Sequence, residues 1–515
     1  MKIARIIAML LLIATCLTMV VACDNGDEGN TPAETTKKPT VTTKPNQGEQ
    51  PNIVQPGVHV HVDHNVEEAN FDTDFTFLAW EQSIDEYDFP DGLPADADDV
   101  QTELYNRNRN VEEYLGITIK YNQIPGGSSS VDDFVDVAYT SISGNSHAYD
   151  AVAAYTRCGG VLATRGVYVD LLKVDHIDTD MPWWPVEITS VNTVADKLYF
   201  ATGDIATSLI YQMHFLIANQ EYAKDLGVSI DELQSLALSG NGVKGGWTLD
   251  KLFDVTAKGY KEADGKSGKT AGDRFGLYLC WHNKFDLFYM GAGLTYVNPD
   301  DENGLITSPD FTGSKSRDIL GRFAEAATTN DSYWISSTTS TGFRLQDGMS
   351  LMYAIEGTQL ATTLRDATFT YRILPAPKYD GNQIDYYTSV GFPHSLYSIP
   401  TDANNRDMSG AVLEVMGAES YNYVTPTLFG KVFLYKLTNS GTDTAILQMI
   451  RDRTTFDVGR TFFQELGADN SSPVRLWRNR LYGFSDKIKG DYNEYHEGWD
   501  IILKGIYENL DKYGE

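Results

Sequence analysis

From residue 74 onward the chain alternates short apolar segments with amphipathic ones, and that order restricts the fold more than any other feature. DFTFLAW (74–80) alternates apolar residues and reads as a strand ending at Trp80-Glu81. In DADDVQTELYNRNRNVEEYLG, Val100, Leu104, Val111 and Leu115 share one helical face, with Asp98 or Asp99 as N-cap and Gly116 as stop. ITIKYN (117–122) reads as the next strand and VDDFVDVAYTSIS (131–143) as a second amphipathic helix. AYDAVAAYT (148–156) reads as a buried strand running into CGGVLA. A helix between two strands returns the chain to the end it left, so these strands are parallel. The expected class is α/β, with helices on both faces of the sheet.

KLYFATGD (197–204) closes this region, and MHFLIANQEYAKDLGV opens another. WTLDKLFDVTAKGYKEADGK predicts an N-capped helix with Leu252, Phe253, Ala257 and Tyr260 on one face, followed by the strand FGLYLC (275–280). DGMSLMYAIEGTQL (347–360) predicts a strand and a Gly turn, and YRILPAPKYDGNQ (371–383) a strand entering a Pro-rich turn. YSIPTDANNRDMSGAVLEVM predicts strand, turn and helix. The C-terminal region reads as helical, with Ile502, Ile506, Leu510 and Tyr513 in register. There is no internal repeat. The roughly 445 residues from 69 onward exceed one ordinary core, so two lobes are expected.

Lys2 and Arg5 precede an apolar run from Ile6 to Ala22, short for a membrane span and without basic residues beyond it. Val20-Val21-Ala22-Cys23 looks like a bacterial lipobox, which implies cleavage before Cys23 and a diacylglycerol on its thiol. Residues 24–68, rich in Thr, Lys, Pro and Gln, cannot bury enough apolar surface to fold and are expected to be a disordered linker. Such a tether spans about 35–40 Å end to end. Formal net charge is -30, two units more negative once Lys2 and Arg5 leave. That argues against nucleic acid as a partner and disfavours a strongly anionic ligand unless a local basic pocket intervenes. Beyond Cys16 and Cys23 only Cys158 and Cys280 remain, too few for a disulfide scaffold, and both are expected to be buried without a bridge between them.

Several motifs invite other chemistry. ADGKSGKT (263–270) contains GKS and GKT, but Tyr260 and Ala263 stand where a P-loop needs glycine, and the loop runs from helix to strand. DFPDGLPADADD (88–99) lacks EF-hand spacing and reads as an acidic helix start. HVHVDH (59–64) sits in the linker without a supporting shell for a metal. H-E-x-x-H, G-x-S-x-G and C-x-x-C are absent, and no metal or cofactor is expected.

Ligands of open α/β lobes sit beyond the carboxyl ends of the strands. Reading those ends gives the candidate ligand-binding residues Trp80, Glu81, Tyr155, Arg157, Asp204, Trp281 and Glu356, to which the crossing segment adds Tyr387. Aromatic rings stack on the C–H faces of sugars and carboxylates pair with hydroxyls, so this set suits a saccharide. Trp183-Trp184 reads as cleft rim or hydrophobic plug, and Trp477 and Trp499 as packing.

The order of WTLDKLFDVTAKGY, FRLQDGMSLM running through YAI to EGTQL, YRILPAPKYDGNQ and YSIPTDANNRDMSGAVLEVM resembles the sugar-type extracellular solute-binding proteins of ABC importers. These include maltose-binding protein. TPTLFGKVFLYKLTNSGTDTAILQMIRDRTTFDVGR resembles the longer lipoproteins of this kind from anaerobic Gram-positive bacteria. The resemblance implies a two-lobed periplasmic-binding-protein-like (type II) fold with crossing strands and a helical C-terminal region. It places lobe 1 at 69–205 plus 388–425 and lobe 2 at 206–387 plus 426–515, after a signal peptide (1–22) and the linker (23–68). Many sugar binders carry Gly-Pro-Trp after the strand matching LMYAI; here Glu356-Gly357-Thr358 stands there and removes one stacking platform. The implied function is capture of a neutral solute, an oligosaccharide, by a monomeric, non-enzymatic receptor at the outer membrane face, and delivery to an ABC permease. A surface glycan hydrolase with paired carboxylates, or a peptide-binding or sensor receptor of the same fold, stays open as an alternative.

Overall fold

A computed structural model describes residues 60–82, 84–89, 92–280, 282–336 and 344–513. Its first half is built on a four-stranded sheet of β1 (Thr73–Trp80), β2 (Ile117–Ile124), β3 (Ala151–Tyr155) and β11 (Ser395–Ser398), in the order β2-β1-β3-β11. β1 runs parallel to β2 and β3, as strands joined through helices must, while β11 enters antiparallel from the far end of the chain. Helix α1 (Asp99–Leu115) starts where the sequence predicts. The Asp98 carboxylate accepts from Val100 N and Gln101 N, each at 2.9 Å, and Gln101 Oε1 accepts from Asp98 N at 3.0 Å. This reciprocal cap satisfies donors that a helix start otherwise leaves open. The helix ends at Gly116 in the left-handed region (φ 61°), where an added Cβ would lie 2.1 Å from Asn70 Oδ1. Val100, Leu104, Val111 and Leu115 are all buried against the sheet. α2 (Val131–Ser143) and α3 (Thr156–Thr164) complete this half.

The second half is centred on β4 (His214–Asn219), β5 (Phe275–Cys280), β8 (Tyr333–Ser336), β9 (Ser350–Glu356) and β10 (Tyr371–Leu374), ordered β10-β4-β9-β5-β8. β5 is parallel to β8 and β9; β4 runs antiparallel to both of its neighbours. A separate hairpin pairs β6 (Val297–Asp300) with β7 (Gly304–Thr307). The helix predicted through Tyr260 is shorter, α4 (Leu249–Thr256). The backbones of Gly259 and Gly276 touch just beyond it, an added Cβ on Gly259 lying 2.2 Å from Gly276 Cα, which leaves no room for a further turn. Tyr260 instead reaches Asp273. The turn expected after β9 is a short helix, Gly357–Ala361, closed by a reciprocal cap between Glu356 and Gln359.

Three chain segments pass between the halves and pair side by side. Gly391 N donates to Gln212 O (2.8 Å) and His214 N to Ser389 O (2.9 Å), while Thr388 N donates to Arg453 O (2.8 Å) and Thr455 N to Thr388 O (2.9 Å). The C-terminal region is helical: Arg406–Glu419 continues through a π-helical stretch to Lys436, and Gly441–Asp452, Pro473–Tyr482 and Ile488–Lys512 follow. The last helix spans both halves. Thr307 N and Oγ1 donate to Asp500, whereas at the other end Tyr199 Oη donates to Tyr513 O at 2.5 Å and Lys197 Nζ to the same carbonyl at 2.8 Å.

Part of the expected linker is ordered. Val62 N donates to Asn422 Oδ1 (3.0 Å) and Asn422 Nδ2 to Val62 O (2.9 Å), and Tyr114 Oη donates to Val66 O (2.9 Å). Cys158 is a buried thiol beside Gly126 O, so no bridge joins it to Cys280, which is also buried. Among the described residues no helix is long and apolar enough to cross a membrane.

Candidate functional site

Next to the crossing segments, the two halves face each other across a cavity of about 550 Å³. One wall is the 190–196 segment of the first half, with Ser190, Thr193 and Asp196. The opposite wall is Thr295, the β6–β7 hairpin with Asn298, Asp300 and Asp301, and then Phe456, Asp457 and Tyr507. Each group is placed by local structure. Asp300 accepts from Glu302 N and Asn303 N to close the hairpin turn, and these bonds hold its carboxyl below the ordinary range. Tyr507 lies flat over Gly304, where no side chain would fit. Asp457 is buried and takes Tyr296 N at 2.7 Å and Gly459 N at 2.8 Å; burial nevertheless pushes its carboxyl up to about 6.

Phe456 and Asp457 also line a smaller void of about 10 Å³, walled by Thr156 at the start of α3, Val390, Phe392, His394 and Arg460. That is room for about one water. His394 is only 4 % exposed. Its Nδ1 sits 2.8 Å from Gly391 O, and a carbonyl only accepts, so Nδ1 carries the proton and Nε2 is an acceptor. Nε2 has no hydrogen-bond partner among the described residues, and burial lowers the ring to about 4, keeping it neutral. Beneath the void, Asp286 is fully buried between Arg478, whose Nε donates at 2.7 Å, and Arg460, 3.4 Å away. The Phe392 ring packs against both guanidinium groups, at 4.8 and 5.1 Å.

The residues predicted from strand ends fall into separate groups. Trp80 and Tyr155 are buried, their rings 5.2 Å apart, and Trp80 Nε1 donates to Ser395 Oγ at 3.0 Å. Glu81 is exposed and continues the β1–β2 pairing through its N–H. Arg157 is buried against Gln464 and Asp469, with its guanidinium 4.6 Å from the Phe463 ring. Asp204 accepts from Arg451 at 3.0 Å in a second cavity of about 320 Å³, lined also by Met213, Tyr421 and Asp452. Glu356 lies 3.8 Å from Lys284 and accepts from Asn283. Tyr387 is half-buried over Gly293. Trp281 and Cys23 lie outside the described residues, as does His59. Thus Tyr155 and Arg157 flank Thr156 of the small void, Asp204 lines the second cavity, and none of the seven described residues lines the larger one.

Trp183 and Trp184 form a plug, Trp184 Nε1 donating to the buried Glu414 at 2.8 Å. Trp477 and Trp499 are packed and bonded to Ser316 and Ser471 O. In the loop before β5, Glu262, Asp264 and Asp273 converge, but Gly265 N, Lys266, Thr270 and Ala263 N occupy their oxygens. His61 pairs with Asp63, and His64 packs edge-on against Tyr114. Of the cavity residues, Phe456, Asp457 and His394 escaped the sequence reading because they sit in loops without periodicity, and Asn298 because its strand is only four residues long; the one local signal was Asp457-Val-Gly, a short helix start.

No protein-family model matches this chain, and no curated protein matches it. Solved structures do. The GacH receptor of Streptomyces glaucescens, solved unliganded and with acarbose, is 15% identical over 84% of this chain and 99% of its own, with a TM-score of 0.52. The cyclic α-maltosyl-1,6-maltose binding protein of Arthrobacter globiformis is 11% identical over 84% of this chain and 99% of its own (TM-score 0.52). A de novo designed esterase is 12% identical over 85% and 100% (TM-score 0.54). The chain therefore has the two-lobed, type II α/β fold of the substrate-binding proteins of ABC importers. Its α/β class, crossing segments and C-terminal helices are those the resemblance implied.

Proposed function

We propose that this chain is a lipid-anchored extracellular receptor that captures a saccharide between its lobes and delivers it to an ABC permease, without chemistry on the ligand. The observation that carries the reading is the 550 Å³ cavity where the two halves meet, with Phe456 and Tyr507 beside Thr193, Thr295, Asn298 and several carboxylates. Aromatic faces and hydroxyl-pairing groups in one cleft are what a sugar needs. Proteins of like fold bind acarbose and a cyclic maltosyl-maltose, which supports the ligand class. The lipobox at Cys23 and the Thr/Lys/Pro tract behind it support the anchor and tether. Ligand contact with both walls favours the closed state, and the paired crossing segments are the hinge. A thermal-shift screen of the fragment from residue 60 with mono- and oligosaccharides, peptides and polyamines tests this: a ligand of the folded state raises Tm. Stabilisation by a peptide and by no sugar overturns the saccharide reading.

A further inference from the structure

The ionisable groups that line the larger cavity are Asp196, Asp300, Asp301 and Asp457; among the described residues no Lys, Arg or His lines it. Its other polar side chains are the hydroxyls of Ser190, Thr193, Thr295 and Tyr507 and the amide of Asn298. The smaller void shares Phe456 and Asp457 with it and holds the unpartnered, buried Nε2 of His394. The larger cavity thus sets four carboxylates among hydroxyls and an amide, and the smaller void sets an acceptor nitrogen beside the Arg460 guanidinium. A carboxylate accepts only, and His394 Nε2 accepts because Nδ1–H is already committed to Gly391 O. An acceptor buried without a donor costs free energy, so this nitrogen calls for a donor that reaches the inner end of the cleft. Of the basic residues nearby, Arg478 is committed to Asp286 and Arg157 to Gln464 and Asp469, while Arg460, which lines the smaller void, donates to Val390 O and lies 3.4 Å from Asp286.

Resting on the saccharide reading, we infer that the solute carries at least one ammonium group: an amino sugar, or an oligosaccharide containing one, whose N–H donors face the carboxylates of the cleft. Phe456 and Tyr507 provide π faces for the cation as well as for the ring. A hydroxyl satisfies a carboxylate as a neutral donor, whereas an ammonium adds a charge-assisted bond. The whole-chain charge disfavoured an anionic ligand and the resemblance implied a neutral one; the cavity lining points instead to a cationic one.

Four probes separate the claims in calorimetric titration: the β-1,4-linked glucosamine disaccharide, its N-acetylated counterpart, cellobiose and spermidine. The expected result is binding of the glucosamine disaccharide at least about tenfold tighter than either neutral disaccharide, a gap that shrinks in 0.5 M salt. The D196N/D301N double variant, altered at two exposed carboxylates, should lose most of that preference while keeping the parent's Tm. H394F should weaken the amino sugar and leave the fold intact by circular dichroism. Equal or tighter binding of the neutral disaccharides overturns the ammonium inference and leaves the saccharide reading standing. Spermidine binding without any sugar binding overturns the saccharide reading and keeps the cation. Binding of none of the four overturns both.

Discussion

Arg478 holds Asp286 through two parallel hydrogen bonds in a place where both side chains are shut away from water. The pair joins the helices Asp286–Gly291 and Pro473–Tyr482 and supports Arg460, whose guanidinium reaches Val390 O in a crossing segment. Removing one partner leaves an uncompensated buried charge. Asp286→Ala should cost about 3–5 kcal/mol in urea unfolding. The apolar pair D286L/R478M should recover much of that loss; if it is no better than the single change, electrostatics is not what the pair supplies.

Trp80 was expected at the binding surface, but it lies between Tyr155 and Ser395 with 5 % exposure. Trp80→Ala should therefore destabilise the fold by about 3–5 kcal/mol, as core aromatic truncations do. Trp80→Phe, which keeps most of the volume and drops the bond to Ser395, should lose much less. Urea melts of both variants distinguish a packing residue from a contact residue, because the latter leaves the midpoint unchanged.

The pH dependence has a definite sign. Burial raises the Glu414 carboxyl from the ordinary 4.5 to about 7. The folded protein then holds a proton that the unfolded chain has released, so this contribution is full below about 4.5 and lost as pH rises through 7. His394 acts oppositely: its pKa near 4, below the ordinary 6.5, adds stability as pH rises between those values. Glu414→Gln should remove the first trend alone. Its stability relative to the parent should improve between pH 5 and 7.5 by chemical denaturation; an unchanged slope would exclude Glu414 as the source.

An added Cβ on Gly276 would lie 1.6 Å from Thr256 O. Gly276→Ala must push α4 from β5 and should cost about 3 kcal/mol, near the upper end for overpacking. A thermal melt within a degree of the parent would show that this contact is looser than described.

Tyr199→Phe removes the hydroxyl that fastens Tyr513 O. The loss should be about 1 kcal/mol and local. Hydrogen exchange should speed up over residues 506–513 while β1 and β3 stay protected; uniform change across the chain would argue against a local fastening.

What could be read from the residues was what repeats. The cap at Asp98, the stop at Gly116 and the buried face of α1 follow from spacing, and parallel pairing of β1 to β3 follows from helices between strands. The crossing segments were out of reach, because those at Gln212, Ser389 and Arg453 pair mainly through backbone atoms, 64 to 241 positions apart in order, and backbone groups carry no sequence signal. Strand ends were located well, yet proximity to a strand end does not say which way a ring turns. Trp80 turns inward because Tyr155 of the adjacent parallel strand and Ser395 of β11 offer it a packed face and an acceptor. The cavity draws on four distant segments, from Ser190 to Tyr507, so no window of sequence contains it.

The clamp between Val62 and Asn422 carries a mechanical implication. Asn422 continues the helix Arg406–Glu419, which packs on α1 and is tied to it through Asn110 and Glu419. A load applied to the chain at residue 60 is therefore transmitted into the first half, through the two hydrogen bonds between the Val62 backbone and the Asn422 side chain, before it can reach the crossing segments. A pull at residue 60 is thus taken up by the first half rather than by the crossing segments.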